Sequence, residues 1–139
     1  MINIYVLDGA LNDNLRDLIL NILPQIPPHY SYTLGELDIN LGSDDWLLEI
    51  NKDFLNHDYL TDIITFNYNE GTLIAGEICI SLDRVNDNAS TFKVPRETEL
   101  LRVVIHGVLH LCGLKDKTDD EKVKMREAED YFLNKLALL

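Results

Sequence analysis

His106 and His110 lie four residues apart inside an apolar run, LLRVVIHGVLHLC, at positions 100–112. On a helix that separation places two side chains one turn apart along the axis and about 40° apart around it. Both rings therefore point to one side and can share a metal ion. Gly113 follows three residues after His110, where a glycine can adopt positive φ and end the helix. Asp116 then arrives after the turn, giving His106-x-x-x-His110-x-x-Gly113-x-x-Asp116. Two imidazoles and a carboxylate, with one position open, describe a catalytic zinc site. The competing reading is a pair of core histidines, each of which would need its own hydrogen-bond partner inside an apolar helix. The glycine and the carboxylate at their positions weigh against it. Cys112 is a rival third ligand, but it lies about 200° around the helix from His110 and reads as core.

The residue after the first histidine narrows the chemistry. Zinc peptidases with H-E-x-x-H use that Glu as general base. Here the position is Gly107. The pattern therefore favours a reaction for which zinc-bound water suffices. Zinc lowers the pKa of its water to about 7 and can bind a phosphate oxygen, so a phosphodiester is a suitable target. His29, after two prolines, and His57, in a polar stretch, read as surface or packing residues.

The elements that must position this group follow from the rest of the chain. Residues 2–8, 33–40, 61–68 and 72–81 read as strands, with some irregularity in 33–40. Leu11, Leu15, Leu18, Ile19 and Ile22 fall at helical spacing, and Pro24 ends that helix. Pro27 and Pro28 open a loop. Ser43 starts a helix carrying Trp46, Leu47, Ile50 and Phe54. A further helix runs from Ser81 to Phe92, and Pro95 leads into the histidine helix, 97–112. Thr118-x-x-Glu121 is a capping box for a last helix. The expectation is one α+β domain spanning 1–139. A mixed sheet of about four strands would pack against helices, with a zinc helix of the metzincin kind buried on that sheet.

Composition bounds the partners. The chain has 139 residues, 46% of them hydrophobic, enough for a single core. Its net charge of −12 argues against an overall basic surface for nucleic acid or anionic lipid. The acidity is uneven. Residues 1–83 hold Arg16 and Lys52 against fourteen acids, whereas 84–126 hold nine basic residues against seven acids. The N-terminal residues lack a basic region followed by an apolar one, so no secretory signal is expected. No run is apolar enough to span a membrane. Cys79 and Cys112 form no CxxC pair, and free thiols in a reducing cytoplasm are the expected state.

HGVLHLCGLKD at 106–116 resembles H-G-x-L-H-L-x-G-Y-D-H of the YbeY endoribonucleases, bacterial rRNA maturation factors. Thr61-Asp62-Ile63-Ile64-Thr65-Phe66 is similar to that family's T-D-V-L-S-F. Gly76-Glu77-Ile78-Cys79-Ile80-Ser81 is similar to its G-D-I-x-I-S strand, and the segments come in the family order. The resemblance implies a zinc-dependent endoribonuclease that prefers single strands, matures small-subunit rRNA at a late stage, and serves ribosome biogenesis and quality control. It implies one zinc ion on His106, His110 and Asp116. It also implies a ribosomal RNA precursor as partner, with small-subunit proteins or assembly factors beside it. Three positions depart from the family: Asp116 stands where its third histidine usually is, Leu114 where it has Tyr, and Leu55 where it has Arg.

Arg102, one turn before His106, is then a candidate cation for catalysis, its alternative being a helix-pairing charge. Arg96, Lys115 and Lys117, with Lys122 and Lys124, are candidate phosphate contacts from the least acidic segment. Two other readings compete. A metallopeptidase has the histidine spacing but lacks the Glu. A non-enzymatic, zinc-containing ribosome-assembly factor would close its metal with a fourth protein ligand.

Overall fold

In the computed structural model, which describes residues 1–137, four strands form one mixed sheet. They are β1 (Ile2–Val6), β2 (Thr33–Gly42), β3 (Ile63–Asn67) and β4 (Leu73–Ser81). The order is β1-β2-β4-β3. β1 pairs with β2, and β2 with β4, in parallel; β3 runs antiparallel to β4. β4 is the most buried strand because it is interior and covered on both faces, with Ile74, Ile78, Cys79 and Ile80 all buried. The irregularity in the 33–40 segment is a register shift between Leu34 and Leu37.

Five helices surround the sheet: α1 (Asp13–Ile22), α2 (Asp44–Leu55), α3 (Leu82–Phe92), α4 (Arg96–Leu111) and α5 (Asp119–Lys135). Their starts obey local chemistry. Asn12, Ser43, Ser81 and Thr118 each accept a hydrogen bond from a backbone N–H of the first turn. Thr118 and Glu121 complete the expected capping box. The segment after α1 is more ordered than a loop. Leu23–Gln25 and Pro27–Tyr30 are 3₁₀ turns with proline in the first positions, where its missing N–H costs nothing.

Strand alternation divides the core. Leu47 of α2 packs with Ile64 and Cys79 on one face of the sheet. Ile78 and Ile80 face the other way, into the larger cluster with α1, α4 and α5. The helix α4 is the centre of that cluster. From Thr98 to Cys112 every residue is buried except His106 and His110, which are half-buried. Cys79 and Cys112 are buried free thiols, and burial pushes each up to about 11. Among the described residues no helix is long and apolar enough to cross a membrane.

Candidate metal centre

The end of α4 sets the geometry. Gly113 has φ of +95°, the conformation expected of a glycine that terminates a helix. Its N–H donates to the His110 carbonyl at 2.9 Å, and the Leu114 N–H donates to the Leu109 carbonyl at 3.1 Å. These two bonds are the Schellman pair. They reverse the chain and return Asp116 to the histidines. Asn69, in the turn between β3 and β4, donates from Nδ2 to the Leu111 carbonyl at 2.8 Å. Its Oδ1 accepts from the Ala75 N–H at 2.9 Å, so one side chain ties the end of α4 to the sheet.

Gly107 is fixed by packing. A Cβ there would lie 2.9 Å from Cδ1 of Ile78 and 3.0 Å from Cδ1 of Ile63. The position after His106 therefore faces the sheet at close range, and any side chain there would have to displace the ends of Ile78 and Ile63.

His106, His110 and Asp116 converge. Asp116 Oδ2 lies 3.3 Å from His106 Nε2 and 3.4 Å from His110 Nε2. The imidazoles meet edge to face with centroids 4.6 Å apart. Neighbouring ligand atoms around a tetrahedral zinc with bonds of about 2.0–2.1 Å sit about 3.3–3.4 Å apart. Three electron-pair donors this close repel one another unless a proton or cation lies among them. The group could hold a metal, and among the described residues no further His, Cys, Asp or Glu joins it. Cys112 stays outside it, as the helix angle requires.

A second layer holds His106. Its Nδ1 lies 2.7 Å from Oε2 of the buried Glu129 on α5. A carboxylate can only accept, so Nδ1 carries the proton and Nε2 of the neutral ring presents its lone pair beside Asp116. Glu129 Oε1 in turn accepts from Arg102 Nη1 at 3.0 Å, and Arg102 Nη2 lies 2.8 Å from Asp130 Oδ1. Burial works against a charged His106. The hydrogen bond and charge of Glu129, with Asp116 and Asp62, outweigh it and raise the ring above its ordinary value. Asp62 and Glu99 are both raised by burial, with Glu129 adding to each.

His106 and Asp116 line three adjoining clefts. One, of 310 Å³, is bounded by Asp62, Glu99, Arg102 and Arg126. A larger one, of 710 Å³, opens toward β3 and the loop after α2 and includes His110, Tyr59 and Lys117. A small one holds Lys122.

The family model for endoribonuclease YbeY matches this chain over residues 6–137. The chain belongs to the endoribonuclease YbeY family. An endoribonuclease YbeY of Flavobacterium psychrophilum is 55% identical over 99 residues, 71% of each chain. That of Phocaeicola vulgatus is 46% identical over 116 residues, 84% of each. That of Porphyromonas gingivalis is 40% identical over 132 residues, 95% of this chain and 87% of its own. The solution structure of a Thermotoga maritima protein superposes with a TM-score of 0.69 at 28% identity, covering 99% of this chain and 92% of its own.

Within this YbeY-family chain the expected basic contacts separate. Lys117 lines the large cleft and Lys122 the small one. Arg102 borders the 310 Å³ cleft, but its guanidinium is buried and paired with two carboxylates, which is the helix-pairing alternative. Arg96 lies elsewhere: it donates to Asn86 Oδ1 at 2.6 Å and to the Ala10 carbonyl at 3.3 Å, in a separate cleft with Asp8 and Ser43. Lys115 and Lys124 are exposed and line none of the clefts around His106. His29 packs edge-on against Tyr131 and Phe132. Glu129 was not foreseen, although it occupies a core position of α5 between Met125 and Phe132. An acid on an apolar helical stripe was the available sign.

Proposed function

We propose that this chain is a zinc-dependent endoribonuclease that cuts single-stranded stretches of small-subunit ribosomal RNA precursors late in their maturation. It would act in the cytoplasm, with small-subunit proteins or assembly factors as further partners. The observation that carries the reading is the convergence of His106 Nε2 and His110 Nε2 on Asp116 Oδ2, at 3.3 and 3.4 Å, backed by Glu129. Membership of the YbeY family supports the substrate class.

His106, His110 and Asp116 would hold one zinc ion. When bound, zinc supplies Lewis acidity toward water and a phosphate oxygen. The protein's own part is positional. Glu129 keeps the His106 proton on Nδ1, and Arg102 keeps Glu129 in place. Asp62 lines both larger clefts beside His106, and burial raises its carboxyl, the direction wanted of a proton-transfer group. A group of three donors suits a catalytic centre better than a structural one, which is closed by four. The packed Gly107 speaks against a peptidase.

The test is a single-stranded RNA oligonucleotide and casein, each incubated with purified protein, with and without chelator and zinc. RNA should be cut in a zinc-dependent way and casein left intact. Chelator-sensitive proteolysis lost in His106→Ala would replace this reading with the peptidase.

A further inference from the structure

We propose that the stacked rings of His57 and Tyr59 form a subsite that receives an unpaired base of single-stranded RNA beside the metal group. The proposal rests on the ribonuclease reading and specifies how that substrate is held.

The two rings lie nearly parallel, with centroids 5.1 Å apart and planes 22° from each other, and Tyr59 Oη is 3.0 Å from His57 Nδ1. Tyr59 remains 57% exposed. Both residues line the 710 Å³ cleft that also contains His106, His110 and Asp116. That volume falls within the range of about 300–1,000 Å³ usual for small-ligand sites.

The pair is held in place by its own neighbourhood. Asn51 of α2 is 1% exposed, and its Nδ2 donates to the Tyr59 carbonyl at 2.9 Å. The Asn51 carbonyl accepts from the N–H of Asn56 and from that of His57, the latter at 3.0 Å. Asn56 itself is left-handed at φ 54°, ending α2. One buried asparagine thus sets the loop by three backbone contacts, none of which involves the aromatic side chains. A loop backbone set in this way, with the two rings joined by the Tyr59 Oη–His57 Nδ1 contact, lowers the ordering cost of binding.

Charge points to bases rather than phosphates as the contact here. Among the described residues Lys117 is the one Lys or Arg lining this cleft, against Asp62 and Asp116, in a chain of net charge −12. Leu55, 42% exposed, lines the same cleft and offers apolar surface rather than charge. Phosphate attraction is therefore weak on this wall. Every base has a π-face, and stacking on aromatic side chains is the sequence-tolerant way to hold single strands. Duplex bases, already stacked on each other, cannot use it.

The experiment is fluorescence anisotropy on zinc-loaded protein with a labelled 2′-O-methyl RNA single strand, checked for integrity after each titration. Two further probes are the same backbone with abasic residues and the duplex. Tyr59→Ala should weaken single-strand binding roughly 5- to 150-fold, the equivalent of about 1–3 kcal/mol per stacked base. Tyr59→Leu should fall similarly, and Tyr59→Trp should retain binding. Tyr5→Ala, an exposed tyrosine on the sheet edge away from the cleft, should bind as wild type. The abasic probe should bind wild type and Tyr59→Ala alike. Zinc content should be the same in all variants. Equal binding by Tyr59→Ala and wild type, or an equal loss on the abasic probe, would overturn the stacking subsite alone. Zinc-loaded wild type that binds none of the RNAs would overturn the ribonuclease reading with it.

Discussion

His106 stands between two walls of opposite construction. On one side, α4 meets α5 through Arg102, Glu129 and His106, three buried or half-buried groups linked at 2.7–3.0 Å. On the other, the end of α2 and the loop that follows it show Phe54, Leu55, Tyr59 and Leu60 to solvent, and Asn51 holds the loop through its backbone groups. A metal ligand must hold its lone pair within a fraction of an ångström, which calls for a buried, fully bonded support. A surface that takes varied RNA bases needs flat, accessible rings. The chain therefore places its ion pairs behind the histidines and its aromatics in front of them.

The widest test of this contrast is stability. Arg102→Ala would leave Glu129 as a buried carboxylate without its cation, at an expected cost of about 3–5 kcal/mol. Tyr59→Ala, on the exposed wall, should stay within about 0.5 kcal/mol of wild type. Urea denaturation of the two variants measures both. Equal losses would mean that the walls are not built differently.

A smaller effect concerns the metal. Glu129→Gln keeps the size of the side chain but weakens its hold on the Nδ1 proton, and should lower zinc affinity about 10- to 100-fold with the fold intact. Competition with a chelating dye reads this directly. Unchanged affinity would reduce Glu129 to a purely structural partner of Arg102.

The smallest effect depends on pH. Burial raises the Glu99 carboxyl above its ordinary value, so the folded state binds a proton more readily than the unfolded chain. Stability from this group therefore falls as pH rises from the ordinary carboxylate value through the raised one. Glu99→Gln should raise the melting temperature of the metal-free protein at pH 7. The gain should shrink as pH drops through that window. A gain that persists at pH 3 would assign it to something other than ionisation.

Local chemistry made much of this legible beforehand. Serine and threonine caps, the capping box at Thr118, the four strand segments and the His106–Gly113–Asp116 spacing depend on neighbours in sequence, and all appear close to where they were expected. What escaped depends on distant pairing. Glu129 lies 23 residues from His106, and no periodicity shows which helix face an acid will meet. Asn51 and Asn69 act through backbone groups of loops and a helix end, which only the fold brings to them. The insertion of β4 between β2 and β3 is a tertiary outcome of the same kind. Charge singles out Arg96, and charge with a place one turn before His106 singles out Arg102, whereas their partners, Asn86 and Glu129, decide where their guanidinium groups point.

The central claim is that His106, His110 and Asp116 bind one zinc ion together, and Asp116 is its most exposed member. Zinc content and affinity after equilibrium dialysis should be compared for wild type, Asp116→Ala and Asp116→His, with circular dichroism confirming the fold. Wild type and Asp116→His should hold one zinc per chain. Asp116→Ala should fold normally and bind far more weakly, because a loop carboxylate after Gly113 supports no core but supplies one of three ligands. Full occupancy at equal affinity in Asp116→Ala would remove Asp116 from the site and contradict the metal centre as described.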